Sequence, residues 1–358
     1  MRPTTWRRST HIVIGVAVVL VVVAVVVAAA LQRGKPSDVA AIPAAPAPAA
    51  ADPGIKPVSD SADKPTPDKL AATLALALAD PNLGAFTGRI ADAATGEQLW
   101  AQGSDLPMQP ASVTKVLTTA AALLALDRDH RLTTTVVASD QRPGLVVLRG
   151  GGDPTLSAAP KGTDTWYRDA ARISDLAEQV RRSGAKVTTV AVDVSAYSGP
   201  TMAPGWDPLD IDGGDIAPME AVMLDGGRTQ PVSVESRRST TPALDAGRAL
   251  AVALRVDPAT VKVLPSTFDG DEIASVQSPP LIERLREMMN NSDNVMAEST
   301  GREVAAAQGK PQSFDGSVRA VLGELDTAKI DTGGSYLVDC SGLSIDDRLT
   351  AETLDAMR

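Results

Sequence analysis

An unbroken apolar run from Ile12 to Leu31 is the feature that most constrains how this chain folds. Its 20 residues are enough to cross a bilayer as a helix, and they exceed the roughly 7–15 apolar residues of a secretory signal. The arginines before the run favour an N-terminus inside the cell and an exported body. We therefore predict a single-pass cell-membrane anchor over residues 1–33, with the body on the extracytoplasmic side. Secretion after cleavage near Ala28-Ala29-Ala30 is the alternative.

Residues 34–67 are rich in Ala, Pro, Asp and Lys and show no apolar period. Such a composition is typical of a semi-extended tether rather than of a packed element. We predict that this tether separates the membrane from a folded body that starts near Asp68.

The composition of the chain excludes several classes of function. The formal charge of −10 comes from 44 acidic and 34 basic residues without a basic stripe, so we expect no nucleic-acid partner. The single cysteine, Cys340, excludes an internal disulfide and a multi-thiolate metal site. A Ser-His-Asp triad would depend on His130, because the only other histidine borders the apolar run, and another base is therefore favoured. We expect neither a metal nor a cofactor.

Apolar spacing in the body predicts a mixed α/β fold. Helical periods run from Val113 to Leu124 and over residues 173–182, 243–254 and 281–289. Runs of β-branched residues at 145–148 and 187–194 predict strands. The aromatic content is 3 %, so we expect an aliphatic core.

A nucleophile and a base lie one turn apart at the start of the first of these helices. In Pro110-Ala111-Ser112-Val113-Thr114-Lys115, the i to i+3 spacing places Ser112 and Lys115 on one helix face. A serine is unreactive until a base takes its proton, and a lysine does so when burial and a helix N-terminus lower its pKa. Ser-x-x-Lys alone is a weak pattern, and a capping serine followed by an exposed lysine is the alternative interpretation.

The second motif, Ser292-Asp293-Asn294, follows an amphipathic helix. This triplet accompanies Ser-x-x-Lys in penicillin-binding proteins and class A β-lactamases. In the functional interpretation, the Ser292 hydroxyl relays the proton of the attacking serine towards the leaving amine. Asn294 then holds Lys115 and the amide of the substrate. A polar turn between helices, capped by Ser292, is the alternative.

Four segments in this order resemble the D-alanyl-D-alanine carboxypeptidase family of low-molecular-mass penicillin-binding proteins. They are Pro110–Thr119, Leu148–Leu156, Ser292–Glu298 and Asp339–Ser344. The resemblance implies a mixed α/β fold of the penicillin-binding, serine β-lactamase-like transpeptidase type, in which helices pack on an antiparallel sheet. Ser112 and Ser292 are 180 residues apart, so we predict one or more inserted accessory domains at 142–271. The catalytic domain then occupies 68–141 and 272–358.

The resemblance also implies contacts to the substrate. The segment Ala203–Asp210 is similar to the family segment whose acidic residue meets the free amino group of a stem-peptide side chain, and Asp210 is the candidate. Asp207 and a purely structural surface carboxylate are the alternatives. Ser341, in the Ser-Gly-Leu-Ser segment, is the second candidate for substrate binding. The glycine-rich stretch 150–152 lacks the Lys-Ser/Thr pair of a phosphate loop and is interpreted as a strand-end turn that uses positive φ.

The family's third motif, Lys-Thr-Gly, should follow the Ser-Gly-Leu-Ser segment, but the sequence ends 14 residues after Ser344 without it. Asp331-Thr332-Gly333-Gly334 precedes that segment and carries an acid where a cation must bind the substrate carboxylate. The strand with this motif normally supplies one oxyanion-hole donor beside the Ser112 N–H, and loss of one such donor costs about 10²–10³ in rate. We therefore expect the catalytic domain of this sequence to be truncated and its activity to be weak or absent.

The leading hypothesis is a serine-type D-alanyl-D-alanine carboxypeptidase or endopeptidase. It would act on peptidoglycan stem peptides through an acyl-enzyme and bind β-lactam antibiotics. A β-lactamase would also need an efficient deacylating water, for which the sequence offers no support. An inactive homologue that binds peptidoglycan is the alternative from a different class, and the absence of Lys-Thr-Gly favours it.

Overall fold

This computed structural model describes residues 63–264 and 266–357, which form both helices and strands. In chain order the elements are α1 (Pro67–Leu78), β1 (Gly88–Ala91), β2 (Gln98–Gln102), α2 (Thr114–Ala125), β3 (Thr133–Ala138), β4 (Leu145–Arg149), α3 (Ile173–Arg182), β5 (Thr189–Asp193), α4 (Leu209–Gly213), α5 (Pro242–Leu254), β6 (Lys262–Val263), β7 (Asp271–Gln277), α6 (Leu281–Asn291), α7 (Asn294–Ala307), α8 (Phe314–Thr327) and α9 (Ala351–Ala356). A 3₁₀ turn at Ala111–Val113 leads directly into α2. The predicted mixed α/β fold is confirmed.

The larger sheet has five strands in the order β6-β5-β4-β3-β7. β3 pairs with β4 and β7 in the antiparallel direction, whereas β4, β5 and β6 run parallel. Parallel neighbours need a crossover connection, and α3 lies between β4 and β5 in the chain. Apolar side chains of the strands, such as Val146, Leu148 and Val190, are buried together with Leu176 of α3 and Leu250 of α5. The sheet therefore contains both strand directions.

β1 and β2 form a separate antiparallel pair. Arg89 of β1 makes ion pairs with Glu352 (3.3 Å) and Asp355 (3.0 Å) of α9. An antiparallel bridge between Met108 and Leu349 adds a second link between these parts of the chain. The last helix is thereby fixed beside the segment that leads to Ser-x-x-Lys.

The helical core packs α2 against α7 and α8. Leu117 and Ala121 of α2 are fully buried, in one cluster with Met296 and Val304 of α7 and Leu325 of α8. The first turn of α2 thereby meets the N-terminal residue of α7. This packing brings together two motifs that are far apart in sequence.

The glycine-rich stretch after β4 forms the predicted strand-end turn, but positive φ explains only one of its glycines. Gly152 has a φ of 93°. A Cβ on Gly150 would overlap the Ala221 carbonyl, and a Cβ on Gly151 would overlap the Thr133 carbonyl. Close approach of neighbouring backbone is therefore the main requirement for glycine here.

The predicted membrane anchor at 1–33 and residues 34–62 of the predicted tether lie outside the described residues. Within residues 63–264 and 266–357, no helix has both the length and the apolar character needed to cross a bilayer. The division between a catalytic domain and an insert at 142–271 stays a prediction. The five-stranded sheet takes β3 from before that segment and all but the first residue of β7 from after it.

Candidate active site

Ser112 lies in the 3₁₀ turn that leads into α2. The preceding residue, Ala111, has a φ of 49°, a left-handed conformation that costs roughly 1–2 kcal/mol for a residue with a Cβ. The turn is held against Gly342, which has a φ of 79° and whose lack of a side chain leaves room for the Ala111 carbonyl. This close approach supports the unfavourable conformation and fixes the position of the Ser112 hydroxyl.

Lys115 is almost fully buried, with 1 % of its surface exposed, and its amine meets three oxygen atoms. Nζ lies 3.0 Å from Ser112 Oγ, 2.6 Å from Asn294 Oδ1 and 2.8 Å from the Ser341 carbonyl oxygen. A neutral amine has two N–H donors and one lone pair. When Asn294 and Ser341 accept the two N–H groups, the lone pair is directed at Ser112. This arrangement suits a general base that activates a serine nucleophile.

The electrostatic surroundings of Lys115 favour the neutral amine. Burial lowers its pKa to about 8, against the opposing negative charges of Glu298, Asp339 and Asp293. An unperturbed lysine, with a pKa of about 10.4, is almost entirely protonated at neutral pH. The buried amine is therefore available as a base in a pH range where an exposed lysine is not.

Ser292 extends this chain of polar groups. It follows the last residue of α6 with a φ of 53°, and its hydroxyl donates to Ser112 Oγ across 2.7 Å. The left-handed turn brings Ser292 and Asn294, on either side of Asp293, to the same site. A proton that leaves Ser112 therefore has two groups within reach, the Lys115 amine and the Ser292 hydroxyl.

Asp293 anchors the loop between α6 and α7. One carboxylate oxygen accepts the Met296 N–H at 3.0 Å and caps α7. The other accepts the Tyr167 hydroxyl at 2.7 Å and lies 3.5 Å from Arg228 Nη2. Burial opposes ionisation, but Arg238 and Arg228 hold the pKa of Asp293 below its usual range. Residues from the region between β4 and β7 thus support the Ser-Asp-Asn loop.

Asn294 connects the site to the segment that carries Asp210. Its Nδ2 donates to the Asp215 carbonyl at 3.2 Å, and the Asp215 N–H donates to the Asp210 carbonyl at 2.9 Å. Asp210 is half-buried in α4, and burial together with Asp215 and Asp207 raises the pKa of its carboxyl. Asp207 is exposed, and its carboxylate accepts the N–H of Leu209, the first residue of α4, at 2.9 Å. Hydrogen bonds through the backbone of Asp215 therefore link Asp210 to Asn294.

Ser341 reaches the site through its backbone rather than through its hydroxyl. Its carbonyl accepts from Lys115, whereas its buried hydroxyl donates to the Glu298 carboxylate. The hydroxyl oxygen also accepts the Leu343 N–H at 3.3 Å. A direct contact between the Ser341 hydroxyl and a substrate would require these bonds to break.

Asp339 shapes the turn that presents the Ser341 carbonyl. Its Oδ1 accepts the N–H groups of Ser341 (3.0 Å) and Gly342 (2.6 Å). Its Oδ2 accepts the Ser344 N–H and the Trp206 indole N–H, each at 2.8 Å. The buried carboxylate therefore has four donors and joins the Ser-Gly-Leu-Ser turn to the segment before α4.

The structure joins four of the residues predicted from sequence by hydrogen bonds: Ser112, Lys115, Ser292 and Asn294. Their catalytic roles stay predictions, as do the substrate-binding roles of Asp210 and Ser341. His130 lies 3.6 Å from Glu303 and is not among these hydrogen-bonded residues. The sequence analysis assigned no role to Asp339 or Glu298, although both lie in segments that resemble the family. Asp339 also carried a local signal, because an aspartate two residues before a turn often caps it, whereas the only signal for Glu298 was its place in the Ser292–Glu298 segment.

The fold is that of the penicillin-binding proteins. Penicillin binding protein 4 (dacB) from Haemophilus influenzae superposes with a TM-score of 0.61 at 22 % identity, covering 76 % of this chain and 74 % of that one. The same protein in complex with a β-lactam superposes with a TM-score of 0.59 at 20 % identity, covering 79 % of this chain and 75 % of that one.

The D-Ala-D-Ala carboxypeptidase 3 (S13) family matches residues 70–236 and 230–357, and the Carboxypeptidase Rv3627c-like N-terminal domain matches residues 1–57. The chain is 71 % identical over 357 residues to Carboxypeptidase DacB of Mycolicibacterium smegmatis, and 59 % identical over 359 residues to Carboxypeptidase Rv3627c of Mycobacterium tuberculosis. Each match covers 99 % of this chain and 78 % of the relative. The chain belongs to the D-Ala-D-Ala carboxypeptidase S13 family, a family of hydrolases, as the four motifs predicted.

Proposed function

We propose that this protein is a serine-type D-alanyl-D-alanine carboxypeptidase or endopeptidase that acts on peptidoglycan stem peptides. The observation that carries the proposal is the buried Lys115 amine, held between Ser112, Asn294 and the Ser341 carbonyl. Family membership supports the substrate class. So does a D-alanyl-D-alanine carboxypeptidase from Actinomadura, which is 30 % identical over 353 residues, covering 77 % of this chain and 65 % of that protein.

Acylation begins when Ser112 Oγ attacks the carbonyl carbon of the penultimate D-alanine and Lys115 takes the hydroxyl proton. The C–N bond to the terminal residue then breaks, and Ser292 relays the proton from Lys115 to the departing amine, which returns Lys115 to its neutral form. Ser112 is left as an ester of the shortened peptide. Water then attacks this ester, and Lys115 accepts the proton of water and returns a proton to Ser112.

We propose the same acylation for β-lactams, because ring opening also creates an ester on Ser112. A fluorescent penicillin distinguishes the possible functions. A stable adduct together with release of D-alanine from a peptide ending in D-Ala-D-Ala supports the carboxypeptidase. Rapid turnover of the adduct supports a β-lactamase, and the absence of both reactions supports an inactive homologue.

Asp210 is the proposed contact for the free amino group of a stem-peptide side chain. Asp210→Asn should raise KM for a peptide that carries this amine, with little change in kcat, because the amine is remote from the reacting carbonyl. Penicillin, which lacks the amine, should acylate the variant at the wild-type rate. Asp207→Asn is the matched control and should leave KM unchanged. A larger effect of Asp207→Asn on KM would assign the contact to Asp207 instead.

We further propose that the body acts outside the cell membrane, held by the N-terminal apolar helix. The support is the 20-residue apolar run with arginines before it. Fractionation of cells that express the full chain should recover it with membranes, and deletion of residues 12–31 should release it. N-terminal sequencing of the mature protein tests the alternative, because a start after Ala30 would show cleavage.

A further inference from the structure

A buried carboxylate that takes no direct part in the proposed acyl transfer lies beside the site. Glu298 is on α7, one helical turn after Asn294, and its side chain is fully buried. Oε1 accepts the Cys340 N–H at 2.7 Å, and the Ser341 hydroxyl donates to the same carboxylate. Oε2 lies 3.3 Å from Arg302 Nη1. Glu298 therefore binds two successive residues of the turn that contacts the base.

These bonds fix one of the three oxygen atoms around Lys115. Glu298 holds the Cys340 N–H, and Asp339 holds the N–H of Ser341 itself at 3.0 Å. Asp339 also accepts the N–H of Gly342 at 2.6 Å, which belongs to the same peptide group as the Ser341 carbonyl. The carbonyl therefore has a fixed direction, towards the Lys115 amine at 2.8 Å. Loss of either carboxylate would free this carbonyl to turn away from the amine.

Glu298 also acts on Lys115 by charge. The acidic groups that face Lys115 are Glu298 on α7, Asp339 in the turn and Asp293 before α7, and Glu298 has the largest effect of the three. Each favours the protonated ammonium over the neutral amine. Arg302, one turn further along α7, is the cation that faces Glu298.

The charge on Glu298 changes in the pH range that matters for the base. Burial, followed by Asp339, raises the pKa of Glu298 to about 7, against the opposing charge of Arg302. Asp347 completes this acidic cluster, and burial together with Asp339 raises its pKa to about 8. Glu298 and Lys115 therefore titrate in overlapping pH ranges.

We propose that Glu298 is a positioning residue for acyl transfer, which holds the Ser341 carbonyl against Lys115 and, by its negative charge, raises the pH at which the amine becomes a base. This inference rests on the acyl-transfer function proposed above. It assigns to the acidic residue of the Ser292–Glu298 motif a role in the pH dependence of the enzyme.

Glu298→Gln separates the two contributions of the side chain. Glutamine keeps the length and a carbonyl oxygen that can accept the Cys340 N–H, but it removes the charge. The pH of half-maximal penicillin acylation should then fall by about 1 unit, since a nearby opposite charge shifts a pKa by about 1–3. An unchanged or higher midpoint would overturn the proposal.

A readout without turnover keeps this inference distinct from the proposed function. The Lys115 amine can be titrated by NMR in ¹³C-lysine-labelled protein, with its signal assigned by loss in Lys115→Arg. Its pKa should fall in Glu298→Gln by the same amount as the kinetic midpoint. If the wild-type protein shows this titration but captures no penicillin, the proposed function fails, while the shift in the variant still decides the role of Glu298.

Two further variants serve as controls. Asp153→Asn removes another buried carboxylate, whose Oδ1 accepts the Thr155 N–H at 2.8 Å, and it should leave the Lys115 titration unchanged. Ser341→Ala keeps Glu298 but removes one donor that stabilises its charge, so it should lower the Lys115 pKa by less than Glu298→Gln does. This variant provides the test if Glu298→Gln does not fold. No shift, or a rise, in Ser341→Ala would contradict the proposal.

Discussion

At the scale of single residues, the proposed chemistry depends on the Lys115 amine, which must be neutral to accept a proton. Lys115 meets Ser112 Oγ at 3.0 Å, and burial lowers its pKa to about 8. The two other contacts of the amine, with Asn294 and the Ser341 carbonyl, use the N–H groups and leave the lone pair for the nucleophile. These surroundings are the reason why we propose Lys115 as the base.

Lys115→Arg should be nearly as damaging as Lys115→Ala, because a guanidinium cannot be deprotonated in a protein. Both variants should slow penicillin acylation by about 10²–10⁴, the usual contribution of general-base catalysis. Stopped-flow fluorescence measures the rate. Lys310→Arg is the control, since its amine bonds Gln308 Oε1 at 2.6 Å outside the site, and it should acylate normally. An arginine at 115 that retained most of the wild-type rate would refute the base assignment.

The wild-type acylation rate should rise with pH through a midpoint of about 8 and then level off. Only the neutral amine accepts the Ser112 proton, and its fraction grows as the pH passes the pKa of Lys115. Single-turnover acylation measured from about pH 6 to about pH 10 gives this midpoint. A rate that fell with increasing pH over this range would contradict a lysine base.

At the scale of elements, sequence patterns predicted the helix that follows Ser112 and the helix before Ser292, but not α7, which begins at Asn294, nor how these helices meet. The helical period at 113–124 corresponds to α2 at Thr114–Ala125, and the period at 281–289 to α6 at Leu281–Asn291. The spacing of apolar residues indicates which face of a helix is buried, so amphipathic helices can be predicted from it. It carries no information on the Ser341 carbonyl, a backbone atom 226 residues from Lys115. Contacts made by backbone carbonyls, and close contacts between segments that are distant in sequence, do not depend on residue type in a way that the sequence pattern shows.

Gly342→Ala should disturb the site through the backbone. A Cβ at this position would overlap the Ala111 carbonyl, and the φ of 79° is unfavourable for alanine. The free energy of unfolding should fall by about 2 kcal/mol or more, and acylation at Ser112 should slow, because the turn before the nucleophile must move.

Gly309→Ala is the matched control for this change. Gly309 also has a positive φ, 65°, but a Cβ there meets open space. It should lose only about 1 kcal/mol and acylate at the wild-type rate. Urea unfolding and acylation kinetics measure both variants. Equal losses of stability and rate in the two variants would show that the close contact between residue 342 and the Ala111 carbonyl does not determine either property.

At the scale of the whole molecule, the site is assembled by segments from between β4 and β7. The Trp206 indole binds Asp339, and Tyr167 and Arg228 hold Asp293. Trp206 lies in the Ala203–Asp210 segment, whose resemblance to the family predicts substrate binding but does not indicate that Trp206 supports the Ser-Gly-Leu-Ser turn. Pairs of this kind join residues 65 to 133 positions apart and are decided by the tertiary packing.

Arg228→Met should destabilise the protein at neutral pH by about 3 kcal/mol, because it leaves a buried Asp293 without one of its cations. The pKa of Asp293 is lower in the folded protein than its unfolded value of about 3.9. The ion pair therefore stabilises the folded protein fully above a pH of about 3.9, and this stabilisation is lost as the pH falls through the folded pKa. The difference between variant and wild type should therefore shrink in acid.

Arg237→Met is the control for this prediction, because Arg237 pairs with Asp212 on the surface. It should leave the unfolding midpoint unchanged at neutral pH. Urea unfolding at neutral and acidic pH measures both variants. A difference between Arg228→Met and wild type that grew as the pH fell would contradict the ion pair with Asp293.

The most direct test of the proposed function is to locate the acyl group. The full chain is incubated with penicillin, and its intact mass and proteolytic peptides are measured by mass spectrometry. With an incubation long enough to reveal slow acylation, we expect one penicilloyl group on the peptide that contains Ser112, and none in Ser112→Ala. An adduct on Ser292 or Ser341, or an adduct that persists in Ser112→Ala, would contradict the assignment of Ser112 as the nucleophile.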